Sequence, residues 1–210
     1  MNIRDFTGVT VIGGETTIRA PEPVPPGKLR IVATHLEMAA PPAFPAPPPP
    51  HNRRVALLRA ERITVSFYRY LYNTVGEANF WYTRRAMPDD ELKTIATHEL
   101  VDVFVLHAGG VPAGFVELDR RSTPDIEIAF FGLVPEFIGQ GFGRYLLGWA
   151  VAEAWRHAPR ALKVSTNNLD HPRALPNYQK AGFVPVRQEI EIVDDPRLSG
   201  LIPRDVIPRG

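Results

Sequence analysis

Residues Ile126 to Ala152 read IEIAFFGLVPEFIGQGFGRYLLGWAVA. Ile126 to Leu133 is a short apolar run of β-formers with one acid, Glu127, near its start. Val134-Pro135-Glu136 leaves the strand. Gly139, Gly141 and Gly143 then alternate along a loop. From Arg144 the period becomes helical, with Leu146, Leu147, Ala150, Val151 and Ala154 at three- and four-residue steps. The stretch therefore predicts strand, glycine loop and helix.

Alternating glycines let the backbone approach a ligand and adopt positive φ. A helix opening there aims free N–H groups and the positive end of its dipole at the loop. Together these suit a bound pyrophosphate. A tight glycine turn before an ordinary helix uses the same residues. The dinucleotide fingerprint G-x-G-x-x-G fails, because Arg144 and Leu146 occupy the third glycine position in the two registers. No G-x-x-x-x-G-K-[ST] occurs in the stretch, which excludes a P-loop here.

Outward from this centre, Lys28 to Met38 (KLRIVATHLEM) and Arg53 to Ala60 are strand candidates. One of the two is expected as the first core strand. Ile63 to Val75 predicts a helix with Ile63, Phe67, Leu71 and Val75 as one stripe. Tyr68 and Tyr72 lie on the adjacent face, and Gly76 closes it. Asp89 to His98 predicts a second helix. Val101 to His107, Val111 to Leu118 and Ile126 to Leu133 form a meander, the first turn being Gly109-Gly110. Ala161 to Thr166 is a strand, Asp170 to Ala181 a helix closed by Gly182, and Phe183 to Val193 a last strand. The order is β-α-α-β-β-β-α-β-α-β.

The glycine stretch resembles the signature loop of the GNAT superfamily of acetyl-CoA-dependent N-acyltransferases, E-I-x-x-L-x-V-x-P-x-x-[RQ]-G-x-G-x-[GA]. Glu127-Ile128, Phe131, Leu133, Pro135, Gly139, Gly141 and Gly143 fall in register. Ile138 stands where the family has Arg or Gln, so that side chain's contribution is lost while backbone amides still hold. A second match lies in TNNLDHPRALPNYQKAGF, Thr166 to Phe183, similar to N-x-x-A-x-x-x-Y-x-K-x-G-F. Ala174, Tyr178, Lys180, Gly182 and Phe183 agree, and His171 replaces the usual Asn. The resemblance covers roughly Arg53 to Ile192. It implies an α/β (α+β) fold with a mixed, mostly antiparallel central sheet flanked by helices.

It also implies acetyl-CoA as co-substrate and no metal. Leu133, Val134, Ile138, Gly139, Gln140, Gly141, Phe142, Gly143, Arg144 and His171 would hold that cofactor. In such a reaction an amine attacks the thioester carbonyl, backbone N–H groups stabilise the oxyanion, and an acid protonates the departing thiolate. Tyr178 has the family's position for the acid; a core tyrosine is the alternative. Glu127 stands where some relatives place a general base; an exposed acid at a strand start is equally consistent, and water is the other base. Glu117 is the weaker candidate. Asp170 reads as the helix N-cap before His171. Pro176 is awkward inside that helix, unless it starts nearer Arg173 or bends.

The resemblance places the acceptor between the first two helices. There Tyr68, Tyr72, Trp81 and the acid Glu77 would receive an amine on an apolar or aromatic body, unless the rings are core. The expected acceptor is a primary amine of a small molecule or peptide. A non-catalytic acyl-CoA sensor and a transferase with a longer acyl donor are the rivals. A homodimer is left open.

Composition bounds the rest. The 210 residues carry 24 Lys and Arg against 23 acids, a net of +1, which argues for neither nucleic acid nor membrane as partner. Without cysteine, disulfides, thiolate metal sites and a Cys nucleophile are excluded. The opening MNIRDFTGVT lacks a signal peptide's apolar core, and the cytoplasm is the expected location. Of 22 prolines many lie between Pro21 and Pro50. They make either an extended surface connector or a partner-binding PxxP stretch. The expected division is therefore residues 1–52 as an arm with a weak strand at Gly8 to Ile12 and the proline connector, 53–193 as the acyltransferase domain, and 194–210 as a polar tail.

Overall fold

The computed structural model describes residues 9–12, 15–18, 23–51 and 53–207. Val9–Ile12 (β1) and Glu15–Ile18 (β2) pair antiparallel as a separate two-stranded sheet; Gly8 and the other residues of the expected arm up to 22 lie outside the described residues. The main sheet uses Lys28–Met38 (β3), Val55–Arg59 (β4), Val101–Ala108 (β5), Val111–Asp119 (β6), Ile126–Leu133 (β7), Leu162–Asn167 (β8) and Val184–Asp194 (β9). The helices are Val65–Gly76 (α1), Thr83–Ala86 (α2), Asp89–Ala96 (α3), Phe142–Trp155 (α4) and Ala174–Lys180 (α5). From β4 onward the chain follows the expected order, with the one-turn α2 added.

The sheet order is β4-β5-β6-β7-β8-β3-β9, and only β7 and β8 are parallel neighbours. Here the domain division needs correcting. Lys28–Met38, one of the two candidates for the first core strand but placed before residue 53 in that division, is an interior strand of the main sheet. It pairs with β8 from Ala33 to Met38 and with β9 from Lys28 to Glu37. Leu36 and Met38 are buried in the core as a result. Alternation marked the strand, but alternation carries no information about which neighbours it takes.

Each face of the sheet buries its own cluster. On one, Leu146, Leu147, Ala150 and Val151 of α4 pack with Ile126, Ile128, Leu162 and Val164. On the other, Tyr68, Leu71, Tyr72 and Val75 of α1 pack with Val103, Val105 and Phe115. The inward face of α1 is thus centred on the two tyrosines, and Ile63 and Phe67 sit at its margin. Thr64 caps α1 by accepting from the Phe67 N–H at 3.2 Å. Gly76 has helical φ; it is required for space, since a Cβ there would lie 2.4 Å from the Trp81 side chain.

The proline run packs along α4. A Cβ on Gly148 would meet Pro47 Cδ at 2.3 Å, and Pro50 lies against Gly141. This contact supports the connector reading of the prolines. The tail is less polar in place than in sequence: Ile202 is fully buried with Phe80 and Leu169 in a third small cluster.

Candidate active site

β7 and β8 pair over three residues, Ile126 to Ile128 with Leu162 to Val164. Beyond Ile128 they part, although β7 runs on to Leu133 and β8 to Asn167. A β-bulge in the β6–β7 pair, between Glu117 and Leu118, bends β7 at this point. The edge of β7 that faces the gap therefore has no strand partner after Ile128. A cleft of about 260 Å³ fills the opening, lined by Phe131, Gly132 and Leu133 on one side and by α5 on the other.

The glycine loop closes one end. Pro135–Phe137 makes a single 3₁₀ turn. Gly139 and Gly141 then take φ of +83° and +86°, and Gly141 is the residue from which α4 starts. Only glycine reaches that conformation without strain. The first-turn N–H groups of α4 have no intrahelical acceptor, and they open onto the loop. Leu133, Ile138, Gly139, Gly141, Gly143, Arg144 and His171 all line the cleft.

Three of the expected residues turn their side chains elsewhere. Val134 is buried in the α1-side cluster, and its N–H is given to the Ala113 carbonyl at 2.9 Å. Phe142 is buried under α4 against Phe137. The Gln140 side chain turns back to donate to the Glu136 carbonyl at 2.7 Å. Position in a motif did not distinguish side chains facing the cleft from those that hold the loop onto the core.

Tyr178 lines the cleft from α5, its ring packed on Phe131 and Phe183 at centroid distances of 6.1 and 6.0 Å. Burial, then the nearby Asp170 charge, raises the phenol well above its usual value. It is therefore protonated, as a proton donor must be. The helix begins at Ala174, not at Asp170. Pro176 thus falls in the first turn, where the missing N–H would have had no acceptor. Asp170 is not the N-cap. It accepts from Thr166 Oγ1 at 3.0 Å and from the His171 N–H at 2.8 Å, fixing the turn ahead of α5. His171 Nδ1 accepts from the Arg173 N–H at 3.1 Å, which places the proton of the neutral ring on Nε2.

Glu127 stands in the paired part of β7, between Asp119 of β6 and Lys163 of β8. Ile126 and Ile128 on either side belong to the Tyr178 cluster, so Glu127 points to the opposite face. The Glu127 residue is exposed, as an acid at a strand start can be, yet the packing round its carboxyl, then the Asp119 charge, raises its pKa. Glu117 is fully buried: Tyr68 Oη donates to Oε2 at 2.5 Å, and Arg84 Nη2 lies 3.2 Å from Oε1.

Two expected acceptor contacts are core residues. Tyr68 and Tyr72 are each 1% exposed and stack at 6.2 Å in the α1-side cluster. Tyr68 serves Glu117, and Tyr72 Oη meets Thr83 Oγ1 at 3.1 Å. Their one-turn spacing marked a helix face without telling which way it looked. Trp81 is half-buried against Tyr72 and Phe130. Glu77 is paired with Arg85 Nη2 at 2.9 Å. Sequence reasoning missed Asn79, Asp170, Arg173 and Asn177, which line the cleft. The helix N-terminal turn Asp170–Arg173 carried a signal in the second motif; Asn79 carried none. Among the described residues no group of three or more His, Asp or Glu side chains could hold a metal ion, and no helix is long and apolar enough to cross a membrane.

Residues 99–185 match the family model described as acetyltransferase (GNAT) domain. No curated protein sequence matches the chain. Among solved structures, a conserved protein of unknown function from Staphylococcus epidermidis is 15% identical at a TM-score of 0.54, over 80% of this chain and 64% of its own. A GCN5-related N-acetyltransferase from Kribbella flavida is 16% identical at 0.53, over 83% and 63%. An aminoglycoside N-acetyltransferase in complex with CoA is 18% identical at 0.50, over 68% and 95%. The chain spans less than two thirds of the length of the first two. At these identities the likenesses show the fold. With the family model lying over the meander, the glycine loop and α5, residues 99–185 of this chain are similar to the GNAT acetyltransferase domain, and the fold around them is the one its structural neighbours share.

Proposed function

We propose that the protein is an N-acetyltransferase. It moves the acetyl group of acetyl-CoA to a primary amine of a small molecule or peptide, by direct attack in a ternary complex. The observation that carries this reading is one cleft with a positive-φ glycine loop and helix N-terminus at one end and a protonated, buried tyrosine on its wall. The loop amides suit the pyrophosphate. The unpaired edge of β7 suits the pantetheine arm, which is amide-bearing and extended like an added strand. The aminoglycoside enzyme of the same fold, solved with CoA, supports a coenzyme A ligand.

The amine nitrogen forms the new N–C bond as the C–S bond breaks. Its proton passes to Glu127 directly or through water; packing and the Asp119 charge raise that carboxyl's pKa, which suits it to act as a base. Tyr178 protonates the sulfur. A phenol is a weaker acid than a thiol, so transfer to a free thiolate would run uphill. The proton is therefore expected to move as charge builds on sulfur, within the same apolar surroundings that raise the thiol's own pKa. Solvent then restores the proton on Tyr178.

Thermal unfolding with excess acetyl-CoA, and NAD as control, tests the reading. At about a hundredfold excess over Kd, binding stabilises by roughly 2.7 kcal/mol, a rise of about 5–10 °C. No rise at millimolar acetyl-CoA, or an equal rise with NAD, would sink it.

A further inference from the structure

Asn79 belongs to the short turn Glu77–Asn79 that follows α1, outside both sequence motifs. It nevertheless lines the cleft together with Leu133, Gly141 and Tyr178. Its Nδ2 donates to the Val75 carbonyl at 3.4 Å, which sets the orientation of the carboxamide. Oδ1 is then buried with no hydrogen-bond partner. An acceptor left so costs free energy and is rare in folded proteins.

The backbone at this point is also unusual. Phe80, the next residue, has φ of +56°, a conformation that costs a non-glycine residue. The strain is held in place because the Phe80 ring is buried against Leu169 and Ile202, with the Arg197 guanidinium 5.5 Å from its centroid. The main chain of Asn79 is therefore fixed. Its side chain is lightly held, since 3.4 Å is long for an N–H···O bond.

We infer that Asn79 Oδ1 accepts a hydrogen bond from an amide N–H of the acyl donor's pantetheine arm. The inference rests on the coenzyme A reading above. Oδ1 requires a donor. The phosphates of the cofactor offer only acceptors, whereas the two pantetheine amides each carry an N–H. They lie toward the thioester end of the molecule, where Tyr178 is. Asn79 stands with Tyr178 in the same cleft as the unpaired β7 edge. It would hold the arm from the acceptor side while the strand holds it by main chain.

Calorimetric titration with acetyl-CoA and with 3′,5′-ADP, which lacks the arm, tests this. Asn79→Leu is expected to weaken acetyl-CoA about three- to tenfold, the loss of one neutral hydrogen bond, and to leave 3′,5′-ADP unchanged. Asn79→Asp keeps an acceptor oxygen and is expected to lose less than Asn79→Leu. Equal losses for both ligands, no loss for acetyl-CoA, or an Asp variant as weak as the Leu variant would overturn the role of Asn79 and leave the cofactor reading standing. A wild-type protein that binds neither ligand overturns both.

Discussion

Arg84→Met is expected to destabilise the protein strongly, and more at pH 8 than at pH 5. Glu117 has no exposed surface, and the Arg84 side chain is 11% exposed. Removing Arg84 leaves a buried carboxylate with Tyr68 as its remaining side-chain hydrogen-bond donor among the described residues. Breaking a buried pair in this way costs about 3–5 kcal/mol. For a chain of this length that is a fall in Tm of about 6–20 °C. The carboxyl has one escape, which is to take a proton. Burial already raises its pKa, while Tyr68 and Arg84 pull it down. Without Arg84 it rises further. A carboxyl whose folded value lies above its unfolded value loses stability as pH climbs from the unfolded value toward the folded one. The penalty is therefore smaller at pH 5 than at pH 8. Thermal unfolding at both pH values measures it. Replacing the whole cluster by apolar groups, Tyr68→Phe with Arg84→Met and Glu117→Leu, should recover most of the loss, since no buried polar atom of the three is then stranded. A single variant within about 2 °C of wild type at pH 8 would refute the reasoning. So would a fall of equal size at pH 5, because packing loss alone has no such pH dependence.

Tyr178→Phe removes one oxygen and keeps the ring contacts with Phe131 and Phe183. It should hold acetyl-CoA within about twofold and lower free-thiol release by about 10²–10⁴; weakened binding with unchanged turnover would show a packing residue instead. Glu127→Gln should abolish the ascending limb of kcat/KM against pH. That limb is expected above the usual glutamate value of about 4.3, because packing and Asp119 raise this carboxyl; a limb that survives the substitution assigns the base to water. Gly148→Ala puts a Cβ 2.3 Å from Pro47 Cδ. Overpacking of that kind costs about 1–3 kcal/mol, and Pro47→Ala should restore the lost Tm; an unaffected Tm would mean the proline run does not lie on α4.

The parts of the fold legible in the sequence were those written in local pattern. The glycine loop showed its conformation because positive φ demands glycine, and Gly139 and Gly141 supply it. The meander and α4 showed themselves by period. What the pattern could not carry was direction. Tyr68 and Tyr72 occupy a face whose spacing fits a ligand wall and a core equally well. Their burial follows from Glu117, Phe115 and Phe130, which come forty and more residues later. Val134 and Phe142 turn their side chains into the core for a related reason: a loop must be fastened to the core by some of its own side chains, and motif position does not say which.

Strand β3 shows the same limit at the level of topology. Its eleven residues alternate as any strand might, but its place between β8 and β9 depends on pairings made across more than a hundred residues. Asn168 extends that join past the last β8 pair, accepting from the Val32 N–H at 2.7 Å and donating to the Arg30 carbonyl at 3.2 Å. The consequence reaches the site. Bound to β3 along its far edge, β8 is kept from moving toward β7, and the bulge in β6–β7 bends β7 away on the other side. The gap between β7 and β8 is thus maintained from both sides by the rest of the sheet. An acyl donor entering it meets an edge already spread, so little of its binding energy is spent on opening the sheet.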